Sequence, residues 1–256
     1  FLRMKPLVAL LGGIAFSFAS YEIIIIQAGH LYKSLATVWL APIIGAMIYT
    51  YREKWVLGSL FVALFLAWEL ASNHLQITYY LIFPMAAIGI YLFIEAFKGK
   101  ELKRFFIATA GVIAAVVCAF LLNMGNLLMT QDYAQHTIRG ANDISVQPNG
   151  DPVKQSESGG LEKDYLTQWS YGINESFTLI SPNVMGGSSF PIVGTPFEDV
   201  VDDSEFSMAD QKRLKNMSPY WGEQPLVAGP TYLGIVVVLL AFLALFFSTM
   251  VSYLLV

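Results

Sequence analysis

Long apolar runs separated by short polar segments fill the first 129 residues, and one further apolar run ends the chain. A membrane-spanning helix needs about 17 to 25 mostly apolar residues, because backbone polar groups cannot stay unpaired in hydrocarbon. Six runs satisfy this requirement and predict six membrane-spanning helices. They are residues 6–26, 35–51, 55–71, 75–97, 105–129 and 232–256. The fifth is longer than one bilayer requires, so we expect its end to project into water.

The first run has an alternative interpretation as a signal peptide. Arg3 and Lys5 precede it, and Ala15-Phe-Ser-Phe-Ala-Ser20 offers a loose cleavage site. Further apolar runs follow, however, and this favours a membrane helix over a cleaved leader.

Residues 130–228 lack apolar periodicity of helix length and are rich in Gly, Pro, Asn and Ser, which mark turns and loops. Two short helices are expected, at 160–172 and at 207–216. The second opens with Ser207 as its N-cap and has Asp210 three residues on, a loose variant of the capping box. The acidic run 199–205 indicates a solvated loop, with a metal site at Asp202-Asp203 as the alternative.

The predicted fold class is therefore mainly α: a polytopic transmembrane helical bundle of about six spans with a mixed, loop-rich extracytoplasmic segment. Its predicted parts are a five-span bundle over 1–129, the acidic segment 130–228, and a sixth, truncated helix over 229–256. Because the sequence starts at Phe1 and stops at Val256 inside an apolar run, we expect a fragment of a longer protein.

Composition supports membrane insertion. Only 13% of the residues are charged, against about a quarter in a typical soluble domain, and the mean hydropathy is +0.56. The excess apolar surface needs lipid. Cys118 is the single cysteine, which excludes a disulfide framework and a CxxC motif.

Basic residues predict the orientation, because short cytoplasmic loops are enriched in Lys and Arg. Of nine basic residues outside 130–228, all but Lys33 fall at alternate ends of the runs: Arg3, Lys5, Arg52, Lys54, Lys98, Lys100, Lys103 and Arg104. We therefore expect the N-terminus of this chain on the cytoplasmic side of the inner (cytoplasmic) membrane and residues 130–228 outside. That segment carries 14 acidic and 6 basic residues, a balance that disfavours nucleic acid as a partner.

Polar residues of the spans collect at the predicted outer face. Glu22 and Glu69 lie near the outer ends of the first and third runs, and a carboxyl at membrane depth is costly enough to raise a functional hypothesis. The polar turn 73–80 follows Glu69. The structural alternative is an interfacial belt of Tyr and Trp with a wet turn. His30, His74 and His136 also fall on this side, but no HxxH spacing accompanies them. No cofactor is predicted, and a requirement for a divalent metal stays open.

Several short strings occur in a fixed order along nearly the whole chain. They are Ser20-Tyr21-Glu22, Ala28-Gly29-His30, residues 71–80 (ASNHLQITYY), Thr137-Ile138-Arg139-Gly140, Asp164-Tyr165, residues 168–172 (QWSYG), Glu175 with Phe177-Thr178-Leu179, Ser181-Pro182-Asn183, Gly186-Gly187, residues 220–225 (YWGEQP) and Gly229-Pro230. In these strings the chain resembles the bacterial YfhO-type membrane proteins, which are similar to the polytopic GT-C glycosyltransferases.

The resemblance implies transfer of a sugar from a polyprenyl-phosphate donor to a cell-envelope acceptor, a glycan or a lipid-linked group, on the outer membrane face. The expected partners are membrane lipid, that donor and that acceptor. The group usually places its acidic catalytic residue in the first outer loop. That loop falls before Phe1, so we expect the catalytic base to be missing from this chain.

Candidate site residues follow from the chemistry of such a donor, whose tail stays in the bilayer while its phosphate lies at the interface. Cations or donors for the phosphate are Lys33, His74 and Arg139, and candidates to line the sugar are Gln76, Tyr80, Trp169 and Tyr171. Glu22 and Glu175 are the candidate carboxylates for helping to deprotonate an acceptor hydroxyl. A structural ion pair is the alternative for Arg139, and a core position the alternative for Trp169.

Two other classes of function remain open. A secondary transporter or lipid flippase would place its site near the bilayer midplane and often carries inverted repeats, and neither pattern occurs in this sequence. A non-catalytic envelope scaffold would use the outer segment to bind a partner.

Overall fold

The computed structural model describes residues 5–137, 163, 167–195 and 197–254. Within these ranges the regular secondary structure is helical, and the one β feature is an isolated antiparallel bridge between Gly186 and Tyr220. The predicted fold class is confirmed: the chain is a mainly α, polytopic membrane bundle.

The helices follow the apolar runs. In chain order they are α1 (Pro6–Ser17), α2 (Ser20–Gln27), α3 (Leu31–Arg52), α4 (Trp55–Ala71), α5 (Leu75–Lys98), α6 (Leu102–Leu122), α7 (Met124–Gln135), a 3₁₀ helix (Glu175–Leu179), α8 (Phe197–Asp202), α9 (Met208–Lys215) and α10 (Ile235–Leu254).

Four helical stretches of the described residues are long and apolar enough to cross a membrane. They are Pro6–Gln27, which comprises α1 and α2, and the helices α3, α5 and α6. Helix α4 and the stretch Ile235–Phe247 of α10 are shorter apolar helices. With 17 residues, α4 lies at the lower end of the length that spans a bilayer.

Two predicted continuous helices are interrupted. The first run breaks before Ser20, where Ala19 has an extended ψ of 136°. The fifth run breaks at Asn123, whose side-chain amide donates to the carbonyls of Ala119 (2.9 Å) and Ala67 (3.1 Å). A side chain that bonds to backbone carbonyls competes with the helical ladder, so the expected single helix over 105–129 is wrong and is replaced by α6 and α7.

The described residues form two compact units. The bundle unit contains residues 5–14 and 30–137, and the loop-rich unit contains residues 15–29 together with the described residues from 163 onwards. Helices α2 and α10 thus belong to the loop-rich unit. The domain boundaries at 129/130 and 228/229 stay predictions.

The bundle unit is built around α4, which packs against α3 and α6. Its core contains Ile43, Leu66, Leu70, Leu81 and Ala119. Gly58 of α4 lies against α3 so closely that a Cβ there would be 2.6 Å from the backbone N and Cα of Thr50. Small residues allow such close backbone approach in membranes, where helices gain little from hydrophobicity.

The capped helix predicted in the loop-rich unit is confirmed as α9. The Ser207 hydroxyl accepts from the backbone N–H of Asp210 (3.2 Å) and donates to its carboxylate (2.6 Å). The other predicted helix, 160–172, is described only at residues 163 and 167–172, of which 163 and 167 are helical and 168–170 form a turn.

The solvated loop expected at 199–205 is wrong for its first half, because Phe197–Asp202 forms α8. Lys215 from α9 bonds to Asp202 (2.7 Å) and Glu198 (3.1 Å), and the backbone N–H of Gly194 donates to Glu198 (2.7 Å). These partners offset the repulsion among the acidic side chains. Asp202 is thus engaged by a lysine, and the described residues contain no group of three potential metal ligands.

Candidate functional site

The polar turn of the bundle unit joins α4 to α5. Asn73 adopts a left-handed conformation (φ 52°), which Asn tolerates better than most residues, and its side-chain oxygen accepts from Thr130 (3.1 Å). His74 is the residue before α5, and its Nδ1 atom is buried. The turn therefore places several polar side chains at one end of the bundle.

Glu69 lies in the bundle core beside this turn, with 0% of its surface exposed. Its carboxyl oxygens accept a hydrogen bond from Thr78 at 2.9 and 3.0 Å. A buried carboxyl without a partner would be expensive, and Thr78 supplies one across the turn. The bond ties the end of α4 to the first turns of α5.

Gln76 and Tyr80, two predicted sugar-binding residues, lie one turn apart on an exposed face of α5. The Gln76 amide donates to the Tyr80 hydroxyl at 2.8 Å. Lys33, a predicted phosphate ligand, lies in the first turn of α3 and is half-buried. These residues and His74 all belong to the bundle unit.

The loop-rich unit contains a second polar cluster, centred on Glu175 at the start of the 3₁₀ helix. Glu175 is 3% exposed and accepts from the backbone N–H of Gly172 (2.8 Å) and from the hydroxyl of Tyr220. The Tyr220 oxygen in turn accepts from the N–H of Gln224 (3.0 Å), and the Gln224 amide donates to the carbonyl of Trp169 (2.7 Å). We call these residues the Glu175 cluster.

The cluster is possible because glycines let the backbone approach. A Cβ on Gly222 would overlap the Tyr220 hydroxyl and a Glu175 oxygen, and a Cβ on Gly186 would overlap the Pro219 carbonyl. Gly186 also has φ +83°, a left-handed conformation that glycine adopts without strain. Residues 168–175, 185–187 and 219–224, which contain several of the strings described above, thus meet in one place.

Glu223 brings a second carboxylate to the cluster. Oxygens of Glu175 and Glu223 lie 3.3 and 3.4 Å from the position that a Cβ on Gly172 would take. Glu223 is exposed whereas Glu175 is buried, so solvent or a ligand reaches the first but not the second.

The phenol of Tyr220 is held in its neutral form. Burial, together with the hydrogen bond to Glu175, raises the pKa of Tyr220 to about 12. At neutral pH it therefore keeps its proton and donates a hydrogen bond to Glu175.

Three aromatic side chains of the same segments are exposed. Trp169 and Tyr171 are each 49% exposed and Trp221 is 66% exposed. The core alternative for Trp169 therefore does not hold. Exposed aromatic rings beside carboxylates offer both an apolar face and hydrogen-bond acceptors to a ligand.

The remaining predicted residues are placed as follows. Glu22 is buried on α2, within the loop-rich unit. In the same helix the Ser20 hydroxyl donates to the carbonyl of Tyr232 and accepts from its N–H, both at 2.7 Å. Arg139, Asp164 and Tyr165 lie outside the described residues. Trp169, Tyr171 and Glu175 are brought together in the Glu175 cluster.

Three residues of the cluster received no role from the sequence: Tyr220, Glu223 and Gln224. All three lie in the string 220–225, which is one of the strings that carry the family resemblance. The string by itself does not indicate that it folds back onto residues 169–175.

Comparisons with protein-family models, with curated proteins and with solved structures find no match to this chain.

Proposed function

We propose that this chain is part of a membrane glycosyltransferase of the GT-C type, which transfers a sugar from a polyprenyl-phosphate donor to a cell-envelope glycan or lipid-linked acceptor. The proposed place of reaction is the extracytoplasmic face of the inner membrane. The observation that carries the proposal is the Glu175 cluster, in which buried Glu175 accepts a hydrogen bond from half-buried Tyr220 and the exposed Glu223 lies close to Glu175 at Gly172, while Trp169 and Tyr171 of the same segments are exposed.

The chemistry of a sugar suits this arrangement. A sugar ring has apolar C–H faces and a rim of hydroxyl groups, so it pairs with aromatic surfaces and with hydrogen-bond acceptors. Trp169 and Tyr171 offer the surfaces, and Glu223 offers the acceptor. Glu175 and Tyr220 also accept from the backbone N–H groups of Gly172 and Gln224, and this network positions the two segments.

Within this proposal the two candidate carboxylates have different roles. Both Glu175 oxygens already accept hydrogen bonds, which suits a positioning residue better than a base. Glu22 stays a candidate carboxylate. Lys33, His74 and Arg139 are the proposed phosphate ligands, and the bonded pair Gln76 and Tyr80 is proposed to contact the sugar.

The experiment is transfer of labelled sugar by the full-length protein in native membranes, across a panel of polyprenyl-phosphate sugars and envelope acceptors. We expect Trp169→Leu and Glu223→Gln to lower transfer about tenfold or more, the loss of one good binding contact. The matched control Phe197→Leu removes an exposed aromatic ring from α8, outside the cluster, and should stay within about twofold. No transfer with any donor, or equal losses in all three variants, would contradict the proposal.

A transporter or lipid flippase is the second candidate, because the first apolar span is interrupted between Ser17 and Ser20. Discontinuous helices of this kind form substrate sites in transporters. Counterflow of a lipid-linked sugar in proteoliposomes would support it. A scaffold would be favoured instead if alanine at Glu22, His74, Arg139 and Glu175 left the envelope glycan unchanged.

A further inference from the structure

The bundle unit has a cavity at the end opposite to the polar turn, where α3 and α5 end and α6 begins. Its volume is about 400 Å³, which is within the range of small-molecule sites. Two arginines and two glutamates line it, Arg52, Arg104, Glu95 and Glu101, together with apolar and aromatic groups that include Leu92 and Phe105. The charged lining is thus balanced in sign.

One of the two charge pairs, Arg52 and Glu95, is hydrogen-bonded and forms one side of the cavity. The Arg52 guanidinium bonds to both carboxylate oxygens of Glu95, at 2.9 and 3.3 Å, and so joins the ends of α3 and α5. Arg104 adds to this wall by donating to the Arg52 carbonyl at 2.5 Å. These bonds define the shape of the cavity.

The other pair, Arg104 and Glu101, is not joined by a hydrogen bond. Arg104 Nη1 and Glu101 Oε2 are 3.7 Å apart, longer than a hydrogen bond, and their side chains are 50% and 62% exposed. Arg104 therefore keeps N–H donors and Glu101 keeps acceptor oxygens for a ligand. A ligand that carries an anion and a hydrogen-bonding cation on neighbouring atoms satisfies both residues at once.

The position of the cavity restricts the ligand further. Helices α3, α5 and α6 are each long enough to cross a bilayer, so the place where their ends meet lies at the level of lipid headgroups. Leu92 and Phe105 in the lining are apolar neighbours for the upper part of an acyl chain.

We propose that this cavity binds the headgroup of a phospholipid with a primary ammonium, of the phosphatidylethanolamine class. The phosphate accepts hydrogen bonds from Arg104, and the ammonium donates to Glu101. A choline headgroup has no N–H to donate to Glu101, and a glycerol headgroup offers only neutral hydroxyl donors, whose hydrogen bonds to a carboxylate are weaker than those of an ammonium. The site concerns the other end of the bundle and is independent of the proposed sugar transfer.

The test is isothermal titration of the purified full-length protein in detergent with dioctanoyl phosphatidylethanolamine, phosphatidylcholine and phosphatidylglycerol, and with soluble glycerophosphoethanolamine. We expect the ethanolamine lipid to bind about tenfold more tightly than the other two lipids, as one charge-assisted hydrogen bond allows. The chain-free headgroup separates a lipid site from a site for free phosphoethanolamine, and we expect it to bind more weakly than the intact lipid.

Variants assign the contacts. Arg104→Gln should weaken binding of the ethanolamine lipid about tenfold, and Glu101→Gln should abolish its advantage over choline while leaving the choline affinity unchanged. Lys103→Gln removes the same charge from the neighbouring residue, which does not line the cavity, and should change the affinity less than twofold. Because Arg104 also supports α3, Glu101→Gln serves if the first variant is unstable. Equal binding of the three lipids, no binding, or a Lys103→Gln effect as large as that of Glu101→Gln would overturn the proposal.

Discussion

Glu175 and Tyr220 are 45 residues apart in the sequence and share one partly buried hydrogen bond. The phenol has an ordinary pKa of about 10 in an unfolded chain and about 12 in the folded protein. A group with a raised pKa contributes stability that is complete below pH about 10 and is lost as the pH rises through about 12. The loop-rich unit should therefore loosen in this alkaline window.

An ultraviolet absorbance titration checks the prediction for Tyr220. The difference between wild type and Tyr220→Phe should contain one phenol that ionises near pH 12. Tyr133→Phe, which removes an exposed tyrosine of α7 outside the cluster, is the control and should leave the component near pH 12 in place. If the phenol removed by Tyr220→Phe ionises near the ordinary value of about 10, Tyr220 is not held as described.

For individual residues, the sequence predicts which side chains belong to the candidate site better than it predicts their contacts. Trp169, Tyr171 and Glu175, which the sequence indicates as candidates, lie in one cluster, whereas the sequence indicates no role for Tyr220 or Glu223. Their position depends on the backbone reversal at Gly186 and on the close approach at Gly222, and neither can be read from a local pattern. Arg139 stays a prediction.

Among the elements, the crossing of α3 and α4 depends on the missing side chain of Gly58. A methyl group at this position would collide with the backbone of Thr50, so Gly58→Ala should lower the free energy of unfolding by about 1–3 kcal/mol. Thermal unfolding of the detergent-solubilised protein measures the change. Gly13→Ala on α1 is the matched control, since a Cβ there meets nothing within 4 Å and alanine favours a helix. An equal or smaller loss for Gly58→Ala than for Gly13→Ala would refute the close crossing.

The pairing of α8 with α9 depends on Lys215. Lys215→Met should speed amide hydrogen exchange in Phe197–Asp202, because Glu198 and Asp202 lose their common cation. Lys212→Met removes a charge from the same helix and should leave α8 unchanged.

The N–H of Gly194 and the nearby Lys215 lower the pKa of Glu198. The contribution of Glu198 to the stability of α8 is therefore present near neutral pH and is lost as the pH falls through that lowered pKa. If the rate of amide hydrogen exchange in α8 changes neither on Lys215→Met nor on acidification, Lys215 does not stabilise α8.

The elements differ in how well the sequence predicts them. Helix α9 was predicted because its cap is local, three residues from Ser207 to Asp210. Helix α8 was missed because its acidic side chains need Lys215, which is 13 residues further along the chain. The interruption at Asn123 was missed because one polar residue hardly changes the apolar character of a long run.

For the whole molecule, the apolar runs predicted the class of fold, since length and hydrophobicity alone decide whether a helix fits a bilayer. The orientation has a different basis. It rests on the alternation of basic residues and stays a prediction, as do the extracytoplasmic position of residues 130–228 and the sugar chemistry proposed for them. All of the functional proposals for that segment require it to be outside.

Cysteine accessibility in intact cells tests this placement most directly. In a Cys118→Ala background, Asp203→Cys introduces a thiol after α8, and Lys100→Cys introduces one at the basic end of the bundle; both positions are exposed. We expect a membrane-impermeant maleimide to label position 203 in intact cells and position 100 only after the membrane is permeabilised. Labelling of position 100 in intact cells, with position 203 protected, would contradict the placement and the extracytoplasmic reaction proposed from it.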